Sequence, residues 1–237
     1  MESPKMAMQA LDSMLHVTCK YDKEGSVPVQ QHARGAFDAV VFDLLTALID
    51  SWTLWNAVAG SPERGFAWRS KYLELTYRAG AYRAYEGMVR EAAELAGIDP
   101  ECGGELVRRW GELAPWPETH EVVAALARRV PLAIATNCSI TLGRIAAERS
   151  GGPYAVVATA ESVGYYKPRP EPYRSVLAKL QTEPARTLFV AGSAADVPGA
   201  KAVGMQVYWH NRMGLEPLDH CRPDFTARSL HPLLDLV

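Results

Sequence analysis

Short, continuously apolar segments recur along the chain. The first is 39–42, and four more of the same kind follow at 131–135, 154–158, 187–191 and 205–209. Apolar runs of this length, without alternation of polar and apolar positions, are typical of strands that are buried on both faces of a parallel sheet. The pattern therefore predicts five buried strands.

Stretches with helical periodicity lie between these segments. They cover 118–129, 139–150, 172–180 and 197–203. Strands that alternate with helices of this length form βαβ units, whose right-handed crossovers bring the carboxyl ends of the strands to one edge. We therefore predict an α/β fold with a Rossmann-like, doubly wound and mostly parallel sheet. Ligands bind at the carboxyl edge of such sheets.

The interval 51–117 interrupts the alternation, because it shows no convincing strand. Ser61 followed by Pro62 has the form of a helix N-terminus, and apolar residues then recur at three- and four-residue spacing. We predict an all-helical cap over the sheet edge. The predicted organisation is an extension at 1–35, either flexible or a docked helix, then a core of 36–50 and 118–237 with the cap at 51–117.

Composition narrows the range of functions. Of 237 residues, 48% are hydrophobic and 22% charged, and the formal net charge is -2, which excludes a strongly basic nucleic-acid binder. No apolar run approaches the roughly 20 residues that span a bilayer. The four cysteines are scattered, which indicates neither a zinc knuckle nor a disulfide framework, so a reducing cytoplasm is the expected location. We expect a small-molecule substrate and no nucleic acid or membrane partner, and a homodimer stays open.

Polar residues follow the predicted strands at the carboxyl edge. A carboxylate, hydroxyls, an amide and an ammonium group would converge there from separate strands: Asp43, Thr136, Asn137, Lys167, Ser193 and Asp196. A carboxylate can attack carbon or phosphorus when it is ionised and partly desolvated beside a cation. The alternative for Asp43 is a residue that only caps the turn after its strand.

This constellation resembles the haloacid dehalogenase superfamily, and within it the L-2-haloacid dehalogenase branch. The resemblance extends from about Phe37 to the C-terminus, and its motifs occur in the family's order. It implies that Asp43, in Val-Val-Phe-Asp, is the nucleophile and that Lys167, in Tyr-Tyr-Lys-Pro, neutralises it. Thr136 and Asp196 complete the implied catalytic set.

Two departures from the phosphatases of that superfamily favour carbon–halogen chemistry. Phosphatases carry a second Asp two positions after the nucleophile, where this chain has Leu45, which cannot protonate a leaving group. Their acidic magnesium motif is reduced here to Asp196. A halide leaving group needs neither a proton nor a metal, so we expect no cofactor. Magnesium is expected only if the protein is a phosphatase with a degenerate site.

The resemblance also implies substrate-binding residues. Arg69, in Trp-Arg-Ser-Lys-Tyr, matches a cap arginine that would bind a substrate carboxylate or departing halide. Asn137 would donate to the halide or carboxylate, and Leu45 and Tyr173 would line the pocket, although Tyr173 suits a packing role equally well. Ser193 either contacts substrate or forms a capping box with Asp196, which would bond to Ser193 or to Lys167.

The chain departs from the dehalogenase pattern as well. Thr46 and Ala47 stand where the family has Gly and Thr, and Ala191 and Ser193 stand where it has Ser and Asn. These changes concern the second half-reaction, in which water hydrolyses an ester intermediate, and leave its efficiency open. The leading hypothesis is a hydrolase that displaces halide from a short 2-haloacid. The alternatives are the phosphatase and a catalytically weak relative that binds a small carboxylate.

Overall fold

A six-stranded parallel sheet forms the centre of the molecule. The computed structural model describes residues 35–218 and 220–237, so the predicted extension at 1–35 lies, apart from Gly35, outside the described residues. The strands of this sheet are β1 Ala39–Phe42, β4 Leu132–Thr136, β5 Tyr154–Thr159, β6 Thr187–Ala191, β7 Gln206–His210 and β8 Phe225–Ala227. They lie in the order β5-β4-β1-β6-β7-β8, and every pairing in this sheet is parallel.

The five predicted strands are present, each with bounds within one residue of the expected ones. The expectation that all five are buried is wrong for β5, because it lies at the edge of the sheet and its first four residues are partly or fully exposed. The three at the centre of the sheet, β4, β1 and β6, are buried at every position. Residues of β1 alternate between two hydrophobic clusters, with Val40 and Phe42 in one and Val41 in the other. This is the two-residue period of a strand covered on both faces.

Ten α-helices surround or extend from the sheet in the described part of the chain. They are α1 Ser51–Ala59, α2 Pro62–Ala79, α3 Tyr85–Leu95, α4 Glu101–Arg108, α5 Thr119–Ala127, α6 Ile140–Ser150, α7 Ala160–Val163, α8 Pro170–Leu180, α9 Asp196–Ala202 and α10 Leu233–Leu236. Local signals set several boundaries. The Ser61 side chain accepts from Arg64 N at the start of α2, with Pro62 in its first turn. Gly151 ends α6 in the left-handed region at φ 71°.

The expectation that 51–117 contains no strand is wrong at Ala114–Pro115. These two residues form β3, which pairs antiparallel with β2, Ile49–Asp50. A two-residue strand is too short to show a hydrophobic period, so no pattern could reveal it. The pair joins the two ends of the helical segment α1–α4.

The helical segment shares a hydrophobic cluster with one face of the sheet. Large aromatic side chains from it, including Trp55, Trp68 and Tyr85, belong to the same cluster as Val40 and Phe42. Trp55 and Trp68 pack with ring centroids 4.6 Å apart. The helices are therefore packed onto the sheet through a continuous apolar interior.

Cysteine pairing differs from the sequence expectation at one position. Cys102 and Cys138 are free thiols, whereas Cys221 is disulfide-bonded. Scattered spacing carries no information on such a pairing, since a disulfide depends on proximity in the fold. Across the described ranges, none of the helices combines the length and the apolar character that a membrane span requires.

Candidate active site

Asp43 follows β1 directly, at the centre of the carboxyl edge of the sheet. Its main-chain N–H donates to Val190 O of β6 at 2.9 Å. Lys167 Nζ lies 2.8 Å from Asp43 Oδ1 and 3.1 Å from Asp196 Oδ2. The Lys167 side chain is 1% exposed, so one buried cation bridges two buried carboxylates. Of the two partners considered for the Asp196 carboxylate, Lys167 is the one it contacts.

The pKa values of the two acids that contact Lys167 shift in opposite directions. Burial alone would raise the pKa of Asp43, but the charge and hydrogen bond of Lys167 and the N–H groups of Leu44 and Thr46 outweigh it and lower that pKa. For Asp196, burial and the neighbouring Asp43 outweigh Lys167 and raise the pKa to about 6. Burial opposes the charge of Lys167, yet the two carboxylates raise its pKa. Asp43 is therefore ionised at neutral pH, whereas Asp196 gains a proton when the pH falls to slightly below neutral.

The Asn137 side chain holds the main chain of Lys167. Asn137 Nδ2 donates to Lys167 O at 3.1 Å, and Lys167 N donates to Asn137 Oδ1 at 2.7 Å. Asn137 directly follows β4, and its own carbonyl accepts from Tyr72 Oη of α2 at 2.9 Å. The amide thus joins the end of a central strand to the segment that carries Lys167.

Thr46 contacts the other oxygen of the Asp43 carboxylate. Thr46 Oγ1 donates to Asp43 Oδ2 at 3.2 Å, and Thr46 N lies 3.4 Å from the same oxygen. Gly192, just after β6, packs against this loop. Sequence reasoning did not assign Thr46 a role, although a hydroxyl three residues after an Asp is a spacing at which side chains bond to a preceding carboxylate.

Arg69 reaches the site from α2 and is 7% exposed. Its Nη1 donates to Ser51 Oγ at 2.6 Å, and its guanidinium carbon lies 4.4 Å from the ring centroid of Trp52. Its buried Nε has no hydrogen-bond partner among the described residues. Burial lowers the pKa of Arg69, although nearby groups including Asp43 oppose this, and arginine stays charged at any physiological pH.

A small cavity of about 40 Å³ lies between the helical segment and the sheet edge. Arg69 and Thr46 line it, together with Ser193 and apolar side chains that include Trp52 and Phe66. A larger cavity of about 370 Å³ lies along α6 and β5, and neither Asp43, Lys167 nor Asp196 lines it. Asp43, Lys167 and Asp196 do not line the smaller cavity either, but Thr46, which contacts the Asp43 carboxylate, and Arg69 do. The smaller cavity is therefore the one that adjoins the buried acids and Lys167.

The remaining predicted site residues have these positions. Thr136 Oγ1 donates to Cys138 Sγ at 3.4 Å, and no contact of Thr136 with the Asp43 carboxylate is found among the described residues. Tyr173 Oη donates to Asp196 O at 3.1 Å, so this tyrosine supports the turn that carries Asp196. Leu45 is buried in the hydrophobic cluster at 7% exposure. Their roles toward a substrate stay predictions.

Ser193 does not form the capping box with Asp196. The helix α9 begins at Asp196 itself, with Ala195 as its N-cap and no side-chain capping bond. Ser193 Oγ instead accepts from Ala195 N at 3.3 Å. Because Ser193 also lines the small cavity, a substrate contact is the one of its two expected roles that remains.

The donor set does not fit a divalent cation. Magnesium prefers oxygen ligands in octahedral geometry, but the Asp43 and Asp196 carboxylates are both bound to Lys167, whose ammonium group stands between them. Within 35–218 and 220–237, no group of three or more His, Cys, Asp or Glu side chains is arranged to hold a metal ion.

The chain is similar to a known family of hydrolases and to two characterised proteins. Residues 37–204 match the family model described as haloacid dehalogenase-like hydrolase. The chain is 30% identical over 202 residues to the (S)-2-haloacid dehalogenase of Xanthobacter autotrophicus, covering 76% of this chain and 77% of that protein. It is 28% identical over 219 residues to haloacetate dehalogenase H-2 of Moraxella sp. (strain B), covering 84% and 97%.

A solved structure shares the fold. The L-2-haloacid dehalogenase from Xanthobacter autotrophicus, with chloropropionic acid covalently bound, aligns with a TM-score of 0.73 at 23% identity. The alignment covers 84% of this chain and 98% of that chain. At this identity the likeness shows the fold, which agrees with the parallel sheet described above.

Proposed function

This chain belongs to the haloacid dehalogenase-like hydrolases, and we propose that it hydrolyses the carbon–halogen bond of short (S)-2-haloacids. The Lys167 ammonium between the Asp43 and Asp196 carboxylates carries this proposal. It keeps Asp43 ionised in a buried site without a metal. The position two residues further on is Leu45, which cannot supply a proton, and a departing halide requires none.

In the first half-reaction the Asp43 carboxylate attacks C2 of the substrate. A bond forms between a carboxylate oxygen and C2 as the carbon–halogen bond breaks, and the halide leaves with the electron pair. Displacement from the opposite side inverts the configuration at C2. The product of this step is an ester between Asp43 and the acid.

In the second half-reaction water attacks the Asp43 carbonyl carbon of this ester. Asp196, with a pKa of about 6, is the candidate base, because its carboxylate is ionised at neutral pH and basic enough to take a proton from water. The proton passes to the leaving alkoxide, which releases a 2-hydroxy acid and restores Asp43. Lys167, whose ammonium group contacts both Asp43 and Asp196, offsets the negative charge that develops in this step.

Arg69 is the group that we assign to the anionic part of the substrate. It is buried, its Nε has no acceptor among the described residues, and it lines the small cavity. A fixed guanidinium can bind a carboxylate or a departing halide through charge-assisted hydrogen bonds. A cavity of about 40 Å³ favours an acid of a few carbon atoms.

We propose that 36–50 and 118–237 act as the core, that 51–117 acts as the cap, and that Arg69 reaches the substrate from the cap. The net charge of -2 favours a small-molecule substrate over nucleic acid.

Halide and phosphate release distinguish the possible activities. We expect chloride release from (S)-2-chloropropionate, unchanged in EDTA, and no phosphate release from p-nitrophenyl phosphate. Asp43→Asn should abolish chloride release, because the amide is a far poorer nucleophile. Phosphate release that needs magnesium would instead establish a phosphatase, and binding of 2-chloropropionate without turnover would establish a carboxylate-binding relative.

A further inference from the structure

Thr46 holds one oxygen of the nucleophile, and the geometry shows which one. Lys167, 1% exposed, lies on Asp43 Oδ1 and is absent from the walls of the small cavity. Thr46 lies on Asp43 Oδ2 and does line that cavity, as does Arg69. Asp43 itself does not line the cavity, but Oδ2 is the carboxylate oxygen that contacts a lining residue, whereas Oδ1 contacts the buried Lys167. Oδ2 is therefore the oxygen that we assign to the substrate side and to the attack on C2.

The same oxygen takes part in both half-reactions. In the first, Oδ2 forms the bond to C2 and becomes the ester oxygen. In the second, water adds to the carbonyl carbon of Asp43 and the bond from that carbon to Oδ2 breaks. Oδ2 then departs as the hydroxyl oxygen of the product, and negative charge accumulates on it before it is protonated.

We propose that Thr46 is a catalytic residue that stabilises Oδ2 as it leaves. This rests on the proposed function. The Thr46 hydroxyl, 3.2 Å from Oδ2, and the Thr46 N–H, 3.4 Å away, are hydrogen-bond donors directed at this oxygen. A hydrogen bond to a carboxylate oxygen slightly weakens its attack, whereas a hydrogen bond to a departing alkoxide lowers the barrier. The hydrogen bonds from Thr46 therefore accelerate ester hydrolysis, the second half-reaction.

Gly192 allows this arrangement. A Cβ at position 192 would overlap Thr46 Oγ1 and the main-chain N of Ala47, and would lie 2.6 Å from the Thr46 carbonyl carbon. Two of these three atoms belong to the main chain, so rotation of the Thr46 side chain cannot relieve the overlap. Any side chain at 192 must displace the loop and move the hydroxyl away from Oδ2. Gly192 is thus a positioning residue for Thr46.

Pre-steady-state kinetics with (S)-2-chloropropionate test the proposal. Thr46→Val keeps the side-chain shape and removes the hydroxyl. We expect one equivalent of chloride to be released at close to the wild-type rate, followed by turnover slower by roughly ten- to a hundredfold, the effect of one hydrogen bond to a charged group. Intact-protein mass spectrometry should show one equivalent of the acid bound covalently to the protein. Thr46→Ser should restore turnover, and Gly192→Ala should behave like Thr46→Val.

Thr53→Val is the matched control. Thr53 Oγ1 also donates to an Asp three residues earlier, Asp50 Oδ2 at 2.7 Å, but on the exposed surface. Its loss should leave turnover unchanged, and thermal melts verify that each variant folds.

Three results would count against the proposal. Wild-type turnover in Thr46→Val would show that the hydroxyl is not needed. Slow chloride release in the first turnover, with no bound acid, would place its effect on the attack and overturn the role assigned here. A wild-type protein that releases no chloride would overturn the proposed function itself, and this inference with it.

Discussion

Asn137 shows at the scale of one residue what sequence reasoning could and could not reach. Its place at the end of β4 was predicted from the strand pattern. Its partner was not, because Asn137 and Lys167 are 30 residues apart and meet only through the fold. The resemblance implied a donor to substrate, whereas the structure shows the side chain bonded to the main chain of Lys167 on both sides. The same holds for Thr46, whose contact with Asp43 depends on the loop conformation.

Substitution of Asn137 should therefore act through Lys167. We expect Asn137→Ala to lower kcat by roughly ten- to a hundredfold, the effect of two lost hydrogen bonds. A residue that positions Lys167 affects every leaving group alike, so the ratio of kcat for 2-bromopropionate and 2-chloropropionate should not change. Steady-state kinetics with both substrates measure this. A changed ratio would instead show that Asn137 contacts the halide.

At the scale of elements, one local signal identified a helix start, the capping-box spacing at Ser193 did not form a cap, and contacts between elements were not predicted. Ser61 and Pro62 identified the start of α2, because a helix N-terminus depends on neighbouring residues alone. The sequence did not reveal that α1 supplies Ser51 and Trp52 to the Arg69 guanidinium of α2. Such contacts depend on how two helices cross, which no single helical pattern encodes.

The contacts between α1 and α2 make Arg69 sensitive to shape as well as charge. The planar guanidinium lies over Trp52 while Nη1 donates to Ser51 Oγ, and an ammonium group cannot reproduce both contacts. We expect Arg69→Lys to lower kcat/KM for (S)-2-chloropropionate by roughly ten- to a hundredfold, with Arg69→Ala at least as low.

The exposed Arg78, which pairs with Glu74 on the same helix, provides the control, and Arg78→Lys should leave kcat/KM unchanged. Wild-type kinetics in Arg69→Lys would show that charge alone suffices and that the stacking on Trp52 has no catalytic role.

At the scale of the whole molecule, the sequence predicted the sheet and not its smallest parts. Five strands stood out as apolar runs, and three of them, β4, β1 and β6, are buried at every position because central strands of a parallel sheet are covered on both faces. The edge strand β8, Phe225–Ala227, has three residues and no apolar run, and β2 and β3 have two residues each. Sequence patterns do not show that Asp43, Lys167 and Asp196 are enclosed together beneath the helical segment. They therefore do not show how this enclosure changes the pH dependence of the protein.

That enclosure makes activity and the contribution of Asp196 to stability respond to pH in opposite directions. The folded-state pKa of Asp196 is about 6, above its ordinary value of 3.8, so between these values the folded protein binds a proton that the unfolded chain does not. The contribution of Asp196 to stability therefore rises as the pH falls from 7 toward 4. Asp43, with a lowered pKa, loses its contribution only as the pH falls further. Activity should fall below pH 6, because protonated Asp196 cannot act as a base.

Comparison with Asp196→Asn isolates this effect, since all other titrating groups are shared. Between pH 7 and pH 5 we expect the wild-type free energy of unfolding to gain about 1 kcal/mol relative to the variant, while wild-type kcat falls about tenfold per pH unit below pH 6. Urea unfolding at both pH values and a kcat profile measure the two quantities. If the free energy of unfolding changes by the same amount between pH 7 and pH 5 in both proteins, Asp196 does not change its protonation in this range. The acid limb would then belong to another group, because a residue that titrates for catalysis must also change the stability of the fold that shifts its pKa.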